Sequence, residues 1–131
     1  MATLPALTDE AASDRARAVF DDIRRKRNTE YVNAFWRVLA HDPALLEAVW
    51  ARAQEVMAPG ALDPLVKEMI YVAVSAANGC DYCIHSHTAA ARAKGMTPAQ
   101  HGELLAVIAM ASQTNALAAA LGVEVDERFR A

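Results

Sequence analysis

Residues 68–87 read Glu-Met-Ile-Tyr-Val-Ala-Val-Ser-Ala-Ala-Asn-Gly-Cys-Asp-Tyr-Cys-Ile-His-Ser-His, and this stretch contains both cysteines of the chain and two of its four histidines. The apolar run up to Ala77 has helical character, whereas Asn78 and Gly79 are typical of a helix end followed by a turn. A second helix is therefore predicted to begin at the cysteines.

The spacing of Cys80, Cys83 and His87 is the most informative feature of this second helix. Side chains three or four positions apart lie on one face of a helix, so two thiols and an imidazole should share a stripe. At a helix start, the unpaired backbone N–H groups and the helix dipole favour a thiolate over a thiol. His85 is predicted to point away from this face, as a bystander or a gate.

The pattern of a glutamate, eleven residues, Cys-x-x-Cys, three residues and a histidine resembles that of alkylhydroperoxidase D-like proteins in the carboxymuconolactone decarboxylase superfamily. Glu68, Cys80, Cys83 and His87 match it residue for residue. The flanking segments are similar to the peroxidase-related branch, and the likeness extends over about residues 33–122. The resemblance implies an all-α fold of about six helices, assembled as a trimer or hexamer.

The resemblance also implies a thiol-dependent peroxidase or disulfide reductase that reduces hydroperoxides and takes its electrons from a dithiol donor, such as a lipoyl protein or a thioredoxin-like protein. Cys83 is then the activated thiol, His87 its proton acceptor, Glu68 the group that orients His87, and Cys80 the second sulfur of the disulfide. No cofactor and no metal are expected. The sequence does not identify the substrate or the donor.

One position departs from the family pattern. The second residue between the cysteines is a relay histidine in well-studied members, and here it is Tyr82. The proton relay is therefore incomplete or wired differently, with Tyr82 and His85 as candidates for a relay or gate.

Other interpretations of the same residues stay open. Two cysteines and a histidine are preferred zinc ligands, and Glu68 or His85 would have to be the fourth. A lactone decarboxylase is a second possibility within the superfamily, although such enzymes need no cysteine pair. A non-catalytic redox scaffold is a third, and Glu68 taken alone could be an ordinary solvated carboxylate.

Composition sets broader limits. A chain of 131 residues, rich in alanine and with five glycines and five prolines, fits one all-α domain spanning residues 1–131. A net charge of −3 argues against a nucleic-acid partner. The basic run 24–27 suits a helix C-terminus.

No uninterrupted apolar stretch approaches the ~20 residues of a membrane span, and the N-terminus lacks the pattern of a signal peptide. The protein is predicted to be cytoplasmic, where an isolated Cys-x-x-Cys is more often redox-active or metal-binding than a structural disulfide.

Helix signals divide the remaining sequence. Thr8 is a predicted N-cap, and Asp42-Pro43 and Asp63-Pro64 are each an N-cap followed by proline at the first helical position. Thr97 and Gln100 form a predicted capping box. Trp36, Trp50 and Tyr71 lie on apolar stripes and are predicted to be core residues. The predicted helices span 9–27, 31–40, 43–57, 64–78, 81–94 and 98–121, with a polar interruption at 112–115 and a tail at 123–131.

The segment 104–111 is apolar around most of its predicted helix. A small monomer would not expose such a helix on its surface, so a partner subunit is expected to cover it.

Overall fold

The structure, a computed structural model, describes residues 2–130 of the chain. These residues form six α-helices and no strand, which confirms the all-α prediction. The chain divides into two compact units, of which the first ends at Ala58 and the second begins at Pro59.

The first unit contains α1 (Asp14–Arg27), α2 (Ala34–Leu39) and α3 (Pro43–Met57). The indole rings of Trp36 and Trp50 meet edge to face, with centroids 5.2 Å apart, and both are buried as predicted. Asp42 caps α3 by accepting the N–H of Leu45 at 3.0 Å. The predicted bounds of α3 are thereby confirmed.

Helix α1 begins at Asp14, and the prediction that it begins at Asp9 is wrong. Ser13 is the residue that caps α1, because its hydroxyl accepts the N–H of Ala16 at 3.1 Å. Thr8 instead accepts the N–H of Ala11 in a separate turn. Asp9 points its carboxylate at two arginines, one from α1 and one from α2, so long-range ion pairs take the place of a helix cap.

Helix α2 is also shorter than the predicted span 31–40, because it begins only after Asn33. Val32, which precedes it, is buried, and its carbonyl accepts a hydrogen bond from Arg37 Nε at 3.2 Å. Residues 31–33 therefore form an irregular segment that buries Val32, rather than a first helical turn.

The second unit contains α4 (Pro64–Ala77), α5 (Asp81–Ala93), α6 (Pro98–Leu121) and a short 3₁₀ turn (Glu127–Phe129). Asp63 caps α4, and the predicted capping box of Thr97 and Gln100 is present at the start of α6. Helices α4 and α5 end one residue before their predicted ends, at Ala77 and Ala93. The core of the second unit is a small apolar cluster of Val72, Ala91, Met96 and Leu104. Four partly buried side chains pack against it, those of Leu65, Met69, Ala73 and Ile108.

Helix α6 is continuous through residues 112–115, so the predicted polar interruption does not break it. The hydroxyl of Thr114 bonds back to the carbonyl of Met110 at 3.1 Å, inside the helix. Leu104 is the one residue of α6 that is buried. Among residues 2–130, α6 alone has the length and mean hydropathy of a helix that could cross a membrane, although polar residues interrupt its apolar sequence. One such helix is weak evidence for a membrane span.

Candidate active site

The turn between α4 and α5 brings the predicted site residues together. Asn78 ends α4, and Gly79 follows with a φ of 66°, in the left-handed region that a side chain disfavours. The N–H of Cys80 then bonds to the carbonyl of Ser75 at 3.0 Å. This tight reversal lets α5 return along α4, so that a residue of α4 can contact residues two turns into α5.

Cys80 is the N-cap of α5 and Cys83 lies on its first turn. Their Cα atoms are 5.4 Å apart and their sulfurs are joined as a disulfide. The Sγ of Cys80 also accepts the N–H of Cys83 at 3.3 Å. The pair therefore lies at the positive end of a helix dipole, where a reduced sulfur is stabilised as a thiolate.

Glu68 lies on the second turn of α4 and its side chain is only 6% exposed. Its Oε2 lies 2.7 Å from Nδ1 of His87, and its Oε1 lies 2.9 Å from Nζ of Lys94. Burial raises the pKa of Glu68, but the hydrogen bonds from His87 and Lys94 outweigh it, and the net pKa lies below the ordinary value. Glu68 is thus a buried carboxylate, not a solvated one.

The negative charge of Glu68 determines which ring nitrogen of His87 carries a hydrogen. An ionised carboxylate can only accept, so Nδ1 of His87 carries the hydrogen of this bond. In the neutral imidazole Nε2 is then left with its lone pair, which is the form a general base requires. His87 lies four residues after Cys83 on α5, so both occupy one face of the helix.

Tyr71 lies flat on the imidazole of His87. The ring centroids are 3.5 Å apart and the planes are inclined by 16°. Tyr71 is 42% exposed, so the prediction that it is a core residue is wrong. Its ring covers one face of the imidazole and limits how His87 can rotate.

Tyr71 and Lys94 are the two residues of this site that sequence reasoning missed. Lys94 follows His87 by seven positions, which is almost two full turns and places both on the same face of α5. Tyr71 follows Glu68 by three positions on α4. The spacing rule that grouped the cysteines with His87 places Tyr71 on the Glu68 face of α4 and Lys94 on the His87 face of α5, but it does not give their contacts across the two helices.

The two remaining predicted residues lie nearer the solvent. Tyr82 is on the first turn of α5, between the cysteines, and is 44% exposed. His85 is exposed as well, on the next turn. The hydrogen bonds to Glu68 come from His87 and Lys94, and the ring stacked on His87 is that of Tyr71. Within residues 2–130, no group of three or more His, Cys, Asp or Glu residues is arranged to hold a metal ion.

The protein has relatives among enzymes named for hydroperoxide reduction. It is 42% identical over 72 residues to the alkyl hydroperoxide reductase AhpD of Solibacter usitatus (strain Ellin6076), a match that covers 55% of this chain and 39% of that protein. The AhpD of Maricaulis maris (strain MCS10) is 39% identical over 69 residues, covering 53% and 38% of the two chains. The chain spans about two fifths of the length of these relatives.

The fold has a solved counterpart in the crystal structure of the alkylhydroperoxidase AhpD core from Rhodospirillum rubrum ATCC 11170. The two chains are 57% identical and superpose with a TM-score of 0.96, covering 100% of this chain and 98% of the other. The sequence profile of the carboxymuconolactone decarboxylase family matches residues 43–124, which include every residue of the candidate site. The chain therefore belongs to the carboxymuconolactone decarboxylase family and is one of its AhpD-like members.

Proposed function

We propose that the protein is a dithiol peroxidase in which Cys80 and Cys83 reduce a hydroperoxide and become a disulfide. One observation carries the proposal. The two sulfurs lie within bonding distance at the start of α5, on the helix that also presents an imidazole held by a buried carboxylate. A lactone decarboxylase has no need of such a pair.

The proposed chemistry balances as a two-electron reduction. The thiolate of Cys83 attacks one oxygen of the hydroperoxide, the O–O bond breaks, and Cys83 becomes a sulfenic acid. The departing alkoxide takes a proton and leaves as the alcohol. The Cys80 sulfur then attacks Cys83, the S–O bond breaks, and water is released as the disulfide forms. A dithiol donor restores both thiols by exchange and is itself oxidised to a disulfide.

His87 and Glu68 would move the proton in this scheme. The imidazole accepts the proton of Cys83 through Nε2 and returns it to the alkoxide, so that the reaction needs no net acid or base. Glu68 keeps the Nδ1 hydrogen in place and stabilises the imidazolium that forms between the two transfers.

The assignment of Cys83 as the first nucleophile follows from its position on the His87 face of α5. Cys80 has its own stabilising contact, because its sulfur accepts the N–H of Cys83. That contact stabilises the Cys80 thiolate, the form that attacks the sulfenic acid of Cys83 and closes the disulfide. We therefore assign Cys80 as the resolving and exchanging cysteine.

Two other functions compete with this proposal. The carboxymuconolactone decarboxylase family gives its name to lactone decarboxylases, and the Glu68–His87 pair could also serve proton transfer next to a carbonyl. Tyr82, at the position of a relay histidine, favours a redox scaffold without peroxide turnover. Neither competitor accounts for a cysteine pair that is backed by a hydrogen-bonded imidazole.

The proposal also includes an electron donor and an assembly state. The donor is a lipoyl or thioredoxin-like dithiol, and no cofactor or metal is required. The working form is a homo-oligomer, a trimer or a hexamer, of a single functional domain in the cytoplasm.

The test is a peroxide-consumption assay on the purified protein, with dihydrolipoamide, thioredoxin and glutathione as competing donors. Hydrogen peroxide and an organic hydroperoxide are each offered as substrate. We expect turnover with a dithiol donor and none in a Cys80→Ser/Cys83→Ser double variant. Turnover of a muconolactone-type substrate by that double variant, with no peroxide consumption by the parent, would establish the decarboxylase function instead.

A further inference from the structure

Glu68 has two hydrogen-bonding partners, and only one of them belongs to the proposed relay. Oε2 takes the Nδ1 hydrogen of His87, whereas Oε1 takes a hydrogen of the Lys94 ammonium at 2.9 Å. Lys94 is the C-cap residue of α5, and its side chain reaches back to α4. Its side chain is 41% exposed, while that of Glu68 is 6% exposed. Lys94 thus extends from the solvent to a buried carboxylate.

Lys94 changes the net charge of the buried cluster around Glu68. With Lys94 present, the ammonium neutralises Glu68 and the buried cluster is neutral when His87 is neutral. Without it, the only way to neutralise the buried carboxylate is to protonate Glu68 or to hold a second proton on His87. A doubly protonated imidazole has no lone pair and cannot accept a proton from a thiol.

We propose that Lys94 is a positioning residue of the relay: its ammonium holds Glu68 as a carboxylate and leaves His87 free to act as a neutral base. The use of His87 in catalysis rests on the proposed function, whereas the electrostatic role of Lys94 does not. The residues of the relay are then Glu68, His87 and Lys94, with Lys94 acting only through the other two.

The charged and titratable surroundings of His87 are few. Helix α4 contributes Glu68 and Tyr71, and α5 itself contributes the cysteine pair and Lys94. The contribution of α6 to this unit's core is apolar, from Leu104 and Ile108. In the disulfide form the cysteines do not titrate, and Glu68 and Lys94 are the charged groups of the hydrogen-bonded cluster.

The test is an NMR titration of the His87 imidazole in the oxidised protein, comparing the parent with Lys94→Met, Lys94→Gln and Lys94→Arg. Lys26→Met is the matched control, because Lys26 is similarly exposed and is paired with Asp22 in the first unit. We expect the midpoint of the His87 titration to rise by about one pH unit in Lys94→Met and Lys94→Gln, a tenfold change in the protonation equilibrium. It should not move in Lys94→Arg or in Lys26→Met.

Peroxide turnover supplies the second readout. At pH 7 we expect Lys94→Met to lose up to about tenfold in rate, to recover as the pH rises, and to be rescued by Lys94→Arg. An unmoved His87 midpoint in a folded Lys94→Met or Lys94→Gln variant overturns the proposal, as does an equal loss of rate in Lys94→Arg. If the parent reduces no peroxide but the His87 midpoint still rises, the proposed function fails and the role of Lys94 stands.

Discussion

Tyr71 and His87 are stacked almost parallel, with ring centroids 3.5 Å apart, although they belong to different helices. Tyr71 comes from α4, as does Glu68, which holds the edge of the same imidazole. Helix α4 therefore holds the His87 ring in two ways: Glu68 bonds to its edge, and Tyr71 covers one of its faces. The contact makes Tyr71 a support for the proposed base, and Tyr71→Ala tests this role.

We expect Tyr71→Ala to slow peroxide reduction by roughly 2- to 12-fold, which corresponds to the 0.5–1.5 kcal/mol typical of aromatic pairs. Tyr71→Phe keeps the ring and is expected to retain the parental rate. The measurement is steady-state peroxide consumption at saturating donor. An equal loss in both variants would assign the effect to the hydroxyl group and not to the stacked ring.

The two cysteines should differ in a single-turnover experiment. Cys80→Ser keeps an oxygen acceptor at the N-cap of α5, so the helix start is preserved. We expect this variant to consume one equivalent of peroxide and to form a sulfenic acid on Cys83, detected by dimedone labelling and mass spectrometry. Cys83→Ser should form none. Labelling of Cys80 in Cys83→Ser alone would reverse the assigned roles.

Glu68→Gln should weaken both catalysis and the fold. The variant removes the anion between His87 and Lys94, and we expect a loss of tenfold or more in rate. It should also lower the free energy of unfolding by about 1–3 kcal/mol at pH 7.

The stability effect of Glu68 has a defined pH dependence. Because the folded pKa of Glu68 lies below its ordinary value of 4.5, the stabilisation is complete above pH 4.5 and is lost as the pH falls through the folded pKa. Urea unfolding of the parent and of Glu68→Gln at pH 7 and below pH 4 measures the difference. A gap that stays constant over this range would contradict an ionised Glu68.

Asp9 gives the corresponding prediction for the first unit. The hydrogen bond from Arg24, with that from Arg37, lowers the pKa of Asp9 from 3.8 to about 2. Its contribution to stability is therefore full above pH 3.8 and disappears as the pH falls towards 2. Since the carboxylate is partly exposed, we expect Asp9→Asn to cost about 1 kcal/mol at pH 7.

Asp21→Asn is the matched control for Asp9→Asn. Asp21 also pairs with Arg24, at 3.1 Å, but its side chain is 74% exposed. Thermal unfolding at pH 7 should hardly change in the control, because exposed pairs contribute little. Equal destabilisation by the two substitutions would show that the bridge from Asp9 to α1 and α2 has no special weight.

Helix α6 carries an exposed apolar stripe of Met110, Leu117 and Leu121, which are 59%, 52% and 74% exposed. Covering each would contribute roughly 1.5–3 kcal/mol, which can offset much of the cost of association. We expect light scattering to give three or six times the chain mass of 14.1 kDa. Leu117→Glu should dissociate the assembly, whereas Ser112→Glu, on roughly the opposite side of α6, should not. A parent that scatters as a single chain would refute the assembly.

The sequence predicted the helix starts that depend on neighbouring residues. The aspartate and proline pairs at 42–43 and 63–64 and the capping box at 97–100 are all present. These signals succeed because the capping side chain and the N–H it accepts are within three residues of each other. Thr8 carried a similar local signal and failed, because Asp9 is drawn to arginines far along the chain.

Most of the candidate site was predictable because its signals also lie close together in the sequence, but the prediction was incomplete. Spacing alone grouped the cysteines with His87, and the structure brings Glu68 to that imidazole. Tyr71 and Lys94 were overlooked because an aromatic residue in an apolar helix and a lysine at a helix end both have ordinary explanations. Only the packing of α4 against α5 distinguishes their actual contacts from those explanations.

Every residue of the candidate site, from Glu68 to Lys94, belongs to one continuous helical hairpin. The contacts that assemble it join residues 19 and 26 positions apart, and closing loops of this length costs only slightly more chain entropy than closing shorter ones. The proposed chemistry therefore depends on the hairpin alone. A chain can gain or lose flanking segments while the hairpin keeps its geometry. This modularity offers a physical reason why longer relatives match this protein over only about seventy residues.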